Sequence, residues 1–116
     1  MAKEPPYTYT IKEVTNVVDG DTIDVIIDLG FSISVKKRVR LYGINTPEVR
    51  TRDKKEKVKG LAAKDRLIEL CMTDSPHLLI KCHGIGKYGR ILGEIWKSNI
   101  SINRILVKEG HAVDYL

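Results

Sequence analysis

The chain has 116 residues, 42% of them apolar and 30% charged, with a formal net charge of +5. That length supports one core and leaves no room for a second. The apolar residues are spread along the whole chain, which excludes a disordered, charge-rich segment, and no apolar run approaches the length of a membrane span. Residues 1–6 are expected to form a tail and residues 7–116 a single domain. Tyr7 to Val18 is rich in β-branched and aromatic residues and predicts a strand, with a bulge where its apolar phase breaks between Ile11 and Val14. Asp19-Gly20 supplies a turn, read as a glycine taking a positive φ. Ile23, Val25, Ile27 and Leu29 share one face of a second strand. Past a turn near Gly30, Val35, Val39 and Leu41 alternate with Lys36, Arg38, Arg40 and Tyr42 in a third, ended by Pro47. Arg50 to Lys59 reads as a solvated loop. From Gly60 the period changes, and Ala63, Leu67, Leu70 and Cys71 fall at helical spacing, with Ser75-Pro76 as the stop. Leu78 to His83 and Ile91 to Trp96 read as strands joined by a glycine-rich hairpin. A last helix has Ser101 as N-cap, Ile102, Ile105 and Leu106 on its buried face, and Gly110 at its C-terminal end.

This β-β-β-α-β-β-α order matches a five-stranded OB-fold, an α+β barrel with helices in which closure hides the sheet edges. Cys71 and Cys82 read as small core hydrophobes, with one bridge between them left open. The N-terminus carries no apolar stretch resembling a secretory signal, so the cytoplasm is the expected compartment. The excess of Lys and Arg favours polyanionic partners, and nothing in the sequence asks for an obligate protein partner.

Chemistry-bearing residues gather at strand ends. In Asp19-Gly20-Asp21-Thr22, two carboxylates flank a glycine and offer hard oxygen ligands to calcium or magnesium. In the run Val39 to Glu48, Arg40 lies on the face opposite Val39 and Leu41, and its guanidinium matches the oxygens of a phosphate. Asn45 and Thr46 place oxygens just before a stiffening proline, and Glu48 follows it as a candidate base. Gly84-Ile85-Gly86-Lys87-Tyr88-Gly89 has the form G-x-G-x-x-G, but a strand-like run follows, not the helix a dinucleotide site needs. What remains is a turn whose Lys87, Tyr88 and Arg90 suit a phosphate backbone and a stacked base. Each of these residues also has an ordinary reading, as turn former or surface charge.

Taken together, VVDGDT, VRLYGINTPE and KYGR are similar in wording, order and spacing to the staphylococcal nuclease family, a resemblance running from about Val17 to the end of the chain. It implies an SNase-like OB-fold and a calcium-dependent nuclease hydrolysing phosphodiester bonds of DNA and RNA with low sequence specificity, with single-stranded DNA and RNA as the expected partners. Asp21, Asn45 and Thr46 take the positions of the calcium ligands, Thr46 through its backbone carbonyl. Arg40 and Arg90 take those of the arginines that grip the scissile phosphate, and Glu48 that of the glutamate acting on the attacking water. Lys87, Tyr88 and Tyr115 match positions that flank the nucleotide. Asn45 departs from the family pattern, which has aspartate there. Loss of one negative ligand implies weaker calcium binding or a preference for another divalent ion. The competing expectation is a catalytically weakened or inactive module that binds nucleic acid, and Arg40 with Glu48 separates the two, since a mere binder needs neither.

Overall fold

The structure, a computed structural model, describes residues 7–72 and 77–115. The tail, the Ser75-Pro76 stop and Leu116 lie outside the described residues. Five strands, β1 (Tyr7–Asp19), β2 (Thr22–Gly30), β3 (Ile33–Leu41), β4 (Leu78–Ile85) and β5 (Ile91–Lys97), and two helices, α1 (Lys54–Met72) and α2 (Ile102–Lys108), follow one another in the expected order. The sheet runs β3-β2-β1-β4-β5 and closes through a parallel pairing of β3 with β5, giving the OB-type barrel. Strand β1 makes this possible by pairing with β2 and, through Tyr7 to Ile11, with β4. Register shifts at Ile11/Glu13, Val14/Asn16 and Val17/Asp19 bend it around the barrel, the first falling where the apolar phase breaks. Two-residue segments, Ile44–Asn45 and Val113–Asp114, pair separately.

Ile23, Val25 and Ile27 of β2, Val39 and Leu41 of β3, and Ile80 and Ile95 of β4 and β5 fill the barrel. Each such side chain contributes about 1.5–3 kcal/mol by leaving water. Leu29, at the end of its apolar row, is exposed because β2 has by then run past the barrel. Ala63, Leu67, Leu70 and Cys71 are the buried stripe of α1. The Cys71 thiol is pushed up to about 12 by burial, and both cysteines are free.

Three sequence expectations are corrected. Helix α1 begins at Lys54, inside the run expected to be a loop. Asp53 Oδ1 accepts from the N–H groups of Lys55 and Glu56 at 2.9 and 3.3 Å, capping a first turn with no buried residue and therefore no apolar stripe to read. Strand β3 ends at Leu41, not at Pro47, because Gly43 turns the chain at φ 78°. Gly20 has no positive φ; it is required for space, since a Cβ there would lie 2.6 Å from Ala63 Cβ and 3.0 Å from Thr46 Oγ1.

Helix α2 starts as its sequence predicts. Ser101 Oγ accepts from Arg104 N at 3.3 Å and donates to Glu94 Oε2 at 2.6 Å. Ser101→Ala is expected to cost about 1 kcal/mol of stability, read from urea denaturation; an unchanged midpoint would remove the cap from the account. Asn103, which the sequence reading passed over, is fully buried. Its Nδ2 donates to the carbonyls of Tyr42 and Gly93 at 3.0 and 3.3 Å, and its Oδ1 accepts from Ile95 N at 3.2 Å, fastening α2 to the turn after β3 and to β5.

Candidate active site

Asp21 sits in the turn between β1 and β2 and is buried. Its Oδ1 accepts from Thr22 Oγ1 and its Oδ2 from the Thr46 backbone N–H, both at 3.0 Å. The same Oδ2 lies 3.4 Å from Arg40 Nη2. One carboxylate thus ties the first reversal to the Asn-Thr-Pro corner. Arg40 completes that tie. Its Nη1 donates to the carbonyls of Leu41 and Ile44 at 3.0 and 2.9 Å, and its Nη2 to Asn45 Oδ1 at 3.1 Å. The guanidinium plane is therefore held from several sides, with Nε–H left without a partner among the described residues.

Arg90 arrives from the far end of the sequence. The parallel pairing of β5 with β3 sets Ile91 against Val39 and Leu92 against Arg40, so the residue before Ile91 stands at the Arg40 end of the barrel. Its turn is closed by Gly86 N donating to Arg90 O at 2.7 Å. Arg90 Nε donates to Lys87 O at 3.2 Å, and no carboxylate pairs with it among the described residues. Glu48 follows Pro47, its backbone N–H donating to Glu56 Oε2 at 3.1 Å. Its exposed side chain makes no hydrogen bond among the described residues.

Asp21, Arg40, Asn45, Thr46, Glu48 and Arg90 line one small hollow of about 170 Å³, together with Asp19, Thr22 and Pro47. Lys87 and Tyr88 belong to the turn that carries Arg90, and Tyr115 N donates to Gly43 O at 2.8 Å, but these three exposed side chains do not line it. Tyr88 holds its turn at φ 61°, fully in solvent.

Asp19, the other carboxylate of the Asp-Gly-Asp turn, also lines the hollow, although the family resemblance assigned it no role. Burial and the neighbouring Asp21 push its carboxyl above the ordinary aspartate value, against a backbone hydrogen bond from Val49 and the charges of Lys64 and Arg50. The sequence reading took Gly60 only as the point where the period changes. A Cβ there would lie 2.6 Å from the Glu48 carbonyl oxygen and 2.9 Å from that of Pro47, so glycine lets α1 pack directly on the Thr-Pro-Glu corner.

The lining donors are oxygens, with no His or Cys among them, which suits calcium or magnesium and not a soft transition metal. Thr46 Oγ1 is buried with no hydrogen-bond partner among the described residues, an oxygen whose chemistry suits a hard cation or its water. Among the described residues no three of His, Cys, Asp and Glu converge as a metal cluster, so an ion here would draw on neutral oxygens of Asn45 and Thr46 beside Asp21.

A family model described as "Staphylococcal nuclease homologue" matches residues 38–116. The chain belongs to the staphylococcal nuclease family. That match contains Arg40, Asn45, Thr46, Glu48 and Arg90, while Asp21 lies before it. The chain is similar to Protein ParB of Escherichia coli, 34% identical over 96 residues, an alignment covering 83% of this chain and 47% of that protein. Micrococcal nuclease of Shigella flexneri is 31% identical over 112 residues, covering 89% of this chain and 57% of the relative. The chain spans about half the length of the curated relatives it matches. Among the described residues no helix is long and apolar enough to cross a membrane.

Proposed function

We propose that this member of the staphylococcal nuclease family is a calcium-dependent nuclease that hydrolyses phosphodiester bonds of single-stranded DNA and RNA with little sequence preference. The observation that carries the reading is that two guanidinium groups, Arg40 and Arg90, border one hollow with Asp21 and Glu48. In phosphodiester hydrolysis a water oxygen bonds to phosphorus, the ester bond to the leaving oxygen breaks, and negative charge grows on the non-bridging oxygens. Arg40, held by the Leu41, Ile44 and Asn45 oxygens, offers positive charge that need not reorganise as that charge develops. Arg90 offers a second cation from the turn that leads into β5. Glu48 takes the proton of the attacking water, a role worth on the order of a hundredfold to ten-thousandfold.

Asp21, Asn45 and Thr46 would hold the ion, and calcium bound there supplies Lewis-acid polarisation of a phosphate oxygen. Contacts to phosphates carry no sequence information, which accounts for the low specificity proposed.

The test is incubation of the pure protein with single-stranded DNA. Degradation is expected with calcium and is expected to stop with a chelator. Inertness with calcium, manganese and magnesium alike would instead make the chain a nucleic-acid-binding module. Asn45→Asp is expected to restore one negative charge beside Asp21 and tighten calcium binding, read as a lower calcium concentration for half-maximal activity and by calorimetry. An unchanged calcium requirement would remove position 45 from the ligand set.

A further inference from the structure

The hollow around Arg40 and Arg90, at about 170 Å³, has room for roughly five or six waters, enough for a phosphate group but not for the nucleosides on either side of it. Those nucleosides need a neighbouring groove. One is present. A cleft of about 720 Å³, within the range of ligand-sized pockets, shares the Asn45-Thr46-Pro47-Glu48 wall with the hollow. Its far walls are the first turns of α1, carrying Lys55 and Lys59, and the segment Gly110 to Val113 after α2.

The charges in this cleft are unequal in availability. Asp53 is occupied as the cap of α1, where the helix dipole offsets its charge. Glu56 is occupied by the Glu48 backbone N–H. Lys55 and Lys59 stand one helical turn apart, exposed, and pair with no carboxylate among the described residues. The cleft therefore presents two unpaired ammonium groups, Lys55 and Lys59, on its helix wall, while its one carboxylate without a hydrogen bond among the described residues, Glu48, stands on the wall shared with the hollow.

We infer that this cleft is a second nucleic-acid subsite, along which the strand flanking the scissile bond runs with its phosphates on Lys55 and Lys59. The inference rests on the nuclease reading and extends it from a single phosphate to a strand. Counterion release makes it measurable, because each phosphate contact on a single strand adds about 0.7 to the slope of log affinity against log salt concentration.

The experiment uses the double variant Lys55→Ala/Lys59→Ala. A second double variant, Lys36→Ala/Lys37→Ala, removes the same charge from exposed positions of β3 that line neither cavity. Binding of a fluorescent oligothymidylate is followed by anisotropy over a salt series in chelator. Loss of Lys55 and Lys59 is expected to weaken binding and reduce the salt slope by about 1.4, with the control slope unchanged. With calcium, KM for the oligonucleotide is expected to rise at unchanged kcat, while turnover of a dinucleotide stays the same. An unaltered slope, or an equal change in the control, overturns the inference. A wild-type protein that cleaves nothing would sink the nuclease reading alone, since the anisotropy series still decides whether the cleft holds a strand.

Discussion

Arg40→Lys is expected to lower turnover on single-stranded DNA by roughly two to three orders of magnitude. An ammonium carries three donors on a point charge, whereas the guanidinium at this position already holds the Leu41 and Ile44 carbonyls and the Asn45 amide while staying 3.4 Å from Asp21. Lysine cannot keep those contacts and also present a donor to phosphate. The two carbonyls lose their partners in the variant, so a stability loss of about 1–3 kcal/mol accompanies the loss of rate. Arg90→Lys separates the two effects. Among the described residues the Arg90 side chain donates only to the Lys87 carbonyl, so its replacement is expected to reduce turnover with little change in melting temperature. The measurements are kcat/KM and thermal unfolding on the same preparations. Near-normal turnover of Arg40→Lys would take that residue out of the reaction.

Gly60→Ala is expected to lower both stability and activity, against the usual direction for an alanine in a helix. Helix propensity alone favours alanine by about 1 kcal/mol. Here the added Cβ would fall 2.6 and 2.8 Å from the carbonyl oxygen and carbon of Glu48 and 2.9 Å from the Pro47 oxygen, all of them backbone atoms. Overpacking of that kind typically costs about 1–3 kcal/mol, so the steric cost exceeds the propensity gain. Relief requires α1 to move away from the Thr-Pro-Glu corner or the corner to move into the hollow, and a displacement near 1 Å at a reacting group costs about a hundredfold in rate. A rise in melting temperature with unchanged turnover would mean that α1 does not bear on Glu48 in this way.

Much of the barrel was legible along the chain because its information is local. Ile23, Val25 and Ile27 alternate with residues of the outer face, and β2 buries that row. The phase break after Ile11 marks a bulge, and Ser101 marks a helix start. Helix α1 was legible only from Gly60 onward. Its first turns, with Lys54, Lys55, Lys57 and Lys59, bury nothing and so carry no period, while the Asp53 cap that starts them resembles any loop aspartate. Gly20 and Gly60 were visible as glycines, but their reason, the close approach of Ala63, Thr46 and Glu48, belongs to other segments.

Amino-acid order alone established the strand and helix sequence, the buried faces, and the residue types suited to phosphate and a hard cation, since these follow from side-chain period and donor chemistry. Only the closed barrel brought those types to one place. Arg40 and Arg90 are far apart along the chain and become neighbours because β3 and β5 pair in parallel, with Ile91 against Val39. Asp21 reaches the Asn-Thr-Pro corner because its carboxylate satisfies the buried Thr46 N–H. Pairing across the barrel depends on register and on buried polar groups finding partners, and those are properties of the packed molecule.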